Sequence, residues 1–215
     1  MNEFSVISPA MFNLFKECEL KFFYQYVEQI KYPSLDENFI EGKNIHNLAS
    51  YVLKGYSVEK YEAQLSDNEL KYWSNLKKSK YFNYELVGVE KSLMMKIDEF
   101  WVGGRLDAIV KNGSDYFVLD YKTGGVNSDK TYDYQTMVYL LLCDEVFKDR
   151  DSLTFVYIDL KNDKEVKVLF NDELKKEYFE RILSACNGMK NVTLNKTVCT
   201  DVNCQYSKLC NVSNY

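Results

Sequence analysis

The stretch FVLDYKTGG, residues 117–125, closes an apolar run with a carboxylate and an ammonium two positions apart, Asp120 and Lys122. Alternate side chains of an extended chain share a face, so the two groups point the same way. Such a pair can hold a metal ion and offset phosphate charge, or it can simply neutralise itself. Spacing alone does not choose, because the same acid-x-Lys pattern recurs at Glu19/Lys21, Glu41/Lys43, Glu69/Lys71, Asp159/Lys161, Glu165/Lys167 and Glu173/Lys175. Context has to.

Upstream, GGRLDAIV carries Asp107, and VKNGSDY contains an Asn-Gly turn signal. A hairpin about residues 112–113 would bring Asp107 and Asp120, each roughly six residues from the turn, to one end of a sheet. Two close aspartates repel unless positive charge lies between them. Lys122 supplies one charge and a divalent cation would supply more; carboxylate oxygens suit Mg²⁺ or Mn²⁺. The alternative is a cross-strand salt bridge on a solvated face. Against it, both aspartates sit among apolar residues, as if emerging from buried strands, and KTGG gives the backbone freedom beside the lysine. The sole histidine, His46, lies upstream in EGKNIHNLASYVL.

The elements that must position these groups are legible in outline. Ser8-Pro9 reads as a helix start, and apolar spacing carries that helix from Met11 to Tyr26, ending before Pro33. A second helix covers Glu41–Leu53 and stops at Gly55; the charged stretch Ser57–Lys80 reads as one or two surface helices. Strands are expected at Tyr84–Leu93, Met94–Val102, Arg105–Lys111 and Tyr116–Tyr121, then a helix over Thr131–Phe147. Strands at Leu153–Leu160 and Glu165–Phe170 and a helix over Asp172–Asn187 follow, before an irregular tail. This order predicts an α/β layered domain with a mixed sheet.

The 215 residues suit a single domain, 1–215: a helical part (1–80), a core (84–187) and a cysteine-rich tail (188–215). The longest apolar run, Met137–Cys143, is too short to span a bilayer, and MNEFSVISPAMFN shows no signal-peptide pattern, so a cytoplasmic location is expected. A net charge of −5 argues mildly against coating nucleic acid by bulk electrostatics, although a cation site needs negative charge of its own.

Taken in order, GKNIHNLA, GGRLDAIV, LDYKTGG and YQTMVYLLL resemble the RecB-type branch of the PD-(D/E)xK nuclease superfamily. The resemblance implies a restriction-endonuclease-like core, a mixed central sheet flanked by helices, and metal-dependent hydrolysis of DNA phosphodiesters. It implies metal ligation by His46, Asp107, Asp120 and the Tyr121 carbonyl, and a catalytic set of Asp107, Asp120, Lys122, Gln135 and Tyr139. Gln135 and Tyr139, four apart on one helical face, would position substrate beside the lysine. Glu90 matches, more loosely, an acid on the first strand of such domains. Leucine, not proline, precedes Asp107, a mild departure that is common in this branch.

Cys199, Cys204 and Cys210 crowd a tail with little apolar content, as metal ligands or incidental thiols would. A subgroup of the same branch, including the AddB nuclease domain and CRISPR spacer-acquisition nucleases, adds a fourth cysteine from the N-terminal helix. Here that is Cys18, and the resemblance implies a [4Fe–4S] cluster joining the chain ends, with Zn²⁺ as the alternative because four residues separate Cys199 from Cys204. Cys143 and Cys186 are expected in the core. The expected partners are DNA, single-stranded ends foremost, and proteins of a spacer-integration or recombination complex, with no membrane. The rival readings are a non-catalytic nuclease-like module gripping DNA ends or a partner, and a zinc-stapled interaction domain.

Overall fold

The computed structural model describes residues 2–30, 37–126, 129–194 and 204–212. Five strands, β1 (Glu85–Ile97), β2 (Phe100–Asn112), β3 (Asp115–Lys122), β4 (Ser152–Asp159) and β5 (Lys164–Leu169), form one sheet in that spatial order. Neighbours pair antiparallel except β3 and β4, which run parallel. A parallel pair needs a crossover, and α6 (Tyr134–Val146) supplies it. The mixed sheet flanked by helices agrees with the expectation.

Alternation along the strands feeds two cores. On one face α1 (Pro9–Glu17), α6 and α7 (Asp172–Asn191) pack Phe12, Leu140 and Ile182 against Val118 and Phe155. On the other, α3 (Glu37–Leu53) and α5 (Asp67–Lys77) pack Ile45, Leu48, Trp73 and Leu76 against Ala108, Leu119 and Val156. The charged stretch expected to lie on the surface therefore buries an apolar stripe. Its start is set by a capping box between Ser66 and Glu69.

Several boundaries differ from expectation. Residues 84–111 make two long strands instead of three short ones. The chain reverses at Asp98 in a left-handed conformation (φ 53°), and Gly103 and Gly104 lie inside β2. The later hairpin turns through Gly113 and Ser114, because Asn112 still pairs with Asp115. The long N-terminal helix is broken: Cys18 is extended (φ −161°, ψ 113°) and caps α2 (Glu19–Phe22), which runs into a π-helical turn, Phe23–Val27. α6 begins only after Asp133, whose side chain caps it through the Gln135 N–H. α7 continues to Asn191, and the tail forms α8 (Ser207–Val212). The remaining elements are α4 (Glu59–Glu62) and a 3-10 turn, Lys80–Asn83. Among the described residues no helix is long and apolar enough to cross a membrane.

Candidate active site

Asp107 and Asp120 lie one step beyond the last paired residues of the hairpin, Ala108 and Leu119, so the register sets them side by side. Asp107 is held twice: its Oδ2 accepts the Tyr121 N–H at 3.1 Å and its Oδ1 lies 3.3 Å from His46 Nδ1. The other imidazole nitrogen, Nε2, is 2.9 Å from the Tyr121 carbonyl oxygen. α3 thus presents its histidine to the middle of β2 and the end of β3.

Glu90 completes this group. It sits in β1 between Val89 and Lys91, which pair with Ala108 and Leu106, and so lies opposite Asp107. Its φ of 50° is rare for a residue with a side chain, and rarer inside a strand. Such strain concentrates at functional sites. His46, Glu90 and Asp107 each offer a ligand atom within 4.8 Å of the others. The set is one imidazole nitrogen with carboxylate oxygens, a donor chemistry that fits Mg²⁺ or Mn²⁺. Arg105 pairs with Glu90 at 2.8 Å.

Asp120 is engaged differently. Its Oδ1 accepts from Gln135 Nε2 at 2.5 Å and its Oδ2 lies 2.8 Å from Lys122 Nζ. Lys122 in turn donates to Gln135 Oε1 at 3.0 Å, closing a triangle of acid, amide and ammonium. Burial and the Asp107 charge push Asp120 up to about 6, against the opposing pull of Lys122 and His46. Burial works against charge on Lys122, yet Asp120 and Asp107 keep it above the ordinary lysine range. Its charged form is thus favoured by the two acids beside it. His46 follows the same logic: burial opposes its charge, and Asp107, the Tyr121 carbonyl and Asp120 outweigh it, raising the imidazole.

Of the residues singled out in the sequence, His46, Asp107, Asp120, Tyr121, Lys122 and Gln135 converge. Tyr139 lies beside them: it is 7% exposed, its hydroxyl donates to the Arg105 carbonyl at 2.9 Å, which anchors β2, and it also meets the Gln135 side chain. Sequence reasoning missed Tyr157, paired with Asp120 across the parallel strands, whose ring lies 5.8 Å from Lys122 Nζ and 5.6 Å from Lys130 Nζ. It also missed Asp159, fully buried at the end of β4, whose Oδ2 accepts the Val126 N–H at 2.9 Å and ties down the loop after Lys122. An acid ending an apolar run, DLKND after FVYI, was the available signal for Asp159. The pairing of Tyr157 left none.

Cys18, Cys204 and Cys210 share a small cluster with Leu20, Tyr24 and Tyr206 that joins the two ends of the chain. Cys18 Sγ accepts the Lys21 N–H at 3.4 Å. Cys199 lies outside the described residues. Cys143 and Cys186 are fully buried in the main core.

A sequence model of the PD-(D/E)XK nuclease superfamily matches residues 6–211. No curated protein sequence matches the chain significantly. Among solved structures, a candidate exonuclease from Eubacterium rectale superposes with a TM-score of 0.54 at 10% identity, over 93% of this chain and 97% of its own. The protein SSO0001 superposes with a TM-score of 0.52 at 16% identity, over 99% of this chain and 88% of its own. At these identities the likeness concerns the fold alone.

Proposed function

The chain belongs to the PD-(D/E)XK nuclease superfamily, and from that premise we propose that it is a divalent-metal-dependent deoxyribonuclease that digests DNA from its ends, single-stranded ends foremost. The observation that carries the reading is the meeting of His46, Glu90 and Asp107 within 4.8 Å beside the Asp120–Lys122–Gln135 triangle. A structural salt bridge needs no third acid held at a strained φ, nor an imidazole from a separate helix.

His46, Glu90, Asp107 and Asp120, with the Tyr121 carbonyl, would hold Mg²⁺ or Mn²⁺. That ion supplies water activation and polarises a phosphate oxygen. Lys122 stays protonated and offers its charge to the phosphoryl group as negative charge develops. Gln135 holds the ammonium by its oxygen and Asp120 by its amide, so neither can swing away. Tyr139 and Asp159 act one step back, on β2 and on the 123–126 loop.

The resemblance carries the finer setting: recombination, repair or CRISPR spacer acquisition, with partner proteins of such a complex. A [4Fe–4S] cluster on Cys18, Cys199, Cys204 and Cys210, or Zn²⁺ in its place, belongs to the same reading. The gathering of Cys18, Cys204 and Cys210 supports it.

The test is digestion of end-labelled single- and double-stranded DNA with Mg²⁺, Mn²⁺ or EDTA. We expect metal-dependent shortening that falls by about 10²–10³-fold in Lys122→Ala, the scale of losing one charge-stabilising donor, with melting and DNA binding retained. A wild-type protein that binds DNA and cleaves none with any metal would sink the reading.

A further inference from the structure

We infer that the cleft beside the metal-ligand candidates seats a single DNA strand, with phosphates on Lys43, Lys54 and Arg105 and a base stacked on a platform of Tyr51, Tyr56 and Tyr61. This rests on the nuclease reading and names how its substrate is gripped.

The cleft encloses about 560 Å³ and is lined by His46 and Glu90 at one end and by Tyr51 and Lys54 along α3 and its close. That is the size class of a site for a small ligand or nucleotide. Lys43 and Lys54 are exposed and enter no ion pair among the described residues. Arg105 reaches Glu90 with its Nε while its side chain remains 69% exposed. On a chain of net charge −5, these cations beside the reacting centre suit a polyanion and little else.

The tyrosines supply the second element. They are 38%, 63% and 52% exposed, yet they touch one another: Tyr51 stacks on Tyr61 (5.6 Å, 27°) and meets Tyr56 edge-on (6.4 Å, 75°). The end of α3 explains part of this. Gly55, at φ 80°, donates to Val52 and Tyr56 donates to Tyr51, the helix-stop pattern that folds Tyr56 back onto the last turn. It does not explain why Tyr61, from α4, stacks on the same ring while more than half exposed. Partly open aromatic faces that continue from Tyr51 in the cleft wall, beside Lys43 and Lys54, suit unpaired bases, whose π-faces a duplex hides.

The experiment is equilibrium binding of fluorescein-labelled oligothymidylate and of a blunt duplex to the full chain, in EDTA and in Ca²⁺, where cleavage is not the readout. Tyr51→Ala and Tyr61→Ala should each weaken single-strand binding about 10–100-fold and duplex binding less, while Tyr51→Phe stays near wild type. Lys43→Gln should lower the slope of log affinity against log salt by about 0.7 for its lost phosphate. Melting checks the fold; should Tyr51→Ala melt early, Tyr61→Ala on a different helix is decisive. Both alanine variants binding within about twofold of wild type, or no wild-type binding in either buffer, overturns the inference. If the protein cleaves DNA yet ignores these tyrosines, the nuclease reading survives alone. If it grips single strands through them and cleaves nothing, the strand seat survives and the nuclease reading falls.

Discussion

Gln135 is the residue on which the acid–lysine pair turns. One amide bonds both Asp120 and Lys122, and those bonds fix the ammonium while leaving its charge intact. Gln135→Leu keeps the volume and removes both bonds. We expect turnover to fall about 10–100-fold, as when a supporting hydrogen bond at a metal site is lost, with melting little changed; unaltered turnover would mean that the lysine is held by Asp120 alone. Protonation offers a second check. Asp120 is raised to about 6 and His46 is also raised, so the folded protein holds both protons more tightly than the unfolded chain. The resulting stability is full below the unfolded values and is lost as pH rises through the folded ones. In EDTA the protein should therefore melt roughly 5 °C higher near pH 5.5 than near pH 8. Mn²⁺ competes with those protons for the same ligands and should raise the midpoint more near pH 8. Calorimetry at both pH values, with and without metal, reads the sign directly.

Elements set these residues by close approach. A Cβ on Gly104 would lie 2.7 Å from the Tyr139 ring, and one on Gly103 would lie 2.7 Å from the Leu93 carbonyl oxygen. Glycine lets β2 run under α6 and beside β1, which is why GG falls inside a strand here. Gly104→Ala must displace either the strand or the tyrosine that holds it at Arg105. We expect a loss of about 1–3 kcal/mol and a midpoint lower by several degrees, accompanied by reduced turnover because Asp107 follows three residues on. Tyr139→Phe, which removes the hydroxyl but keeps the ring, should cost less. A Gly104→Ala protein that melts and turns over like wild type would show that the ring moves aside freely.

At the scale of the molecule, the two chain ends meet in the cluster of Cys18, Cys204 and Cys210, where the Tyr206 hydroxyl also donates to the Ile30 carbonyl at 2.7 Å. This junction brings together segments separated by the whole nuclease core. If a metal group binds there, it ties the ends as a staple, and its binding energy is folding energy. Protein purified without oxygen should carry iron and sulfide, or zinc, and Cys18→Ser should lose it and melt at least ~5 °C lower. Metal-free wild-type protein of undiminished stability would sink the staple and leave the cluster as ordinary packing.

Much of the site could be read along the chain because its chemistry is local. Asp120 and Lys122 share a face by strand alternation, the turn before Asp115 sets Asp107 opposite Asp120, and helix periodicity puts His46 on α3. What the sequence determined by itself was therefore the likeness to the nuclease superfamily and a mixed sheet flanked by helices. Long-range packing decided the rest. The break at Cys18 falls in the cluster that also holds Tyr206 and Cys210, and the single hairpin through Asp98 turns on a left-handed residue that is not glycine. Glu90 meets His46 and Asp107 through a left-handed backbone held by the neighbouring strand. Tyr157 lies beneath Lys122 because parallel pairing put it there, and Tyr51, Tyr56 and Tyr61 met because a helix stop and a separate short helix converged. Spacing along a chain fixes which face a side chain takes within an element; which elements then touch is settled by burying apolar surface across the whole fold.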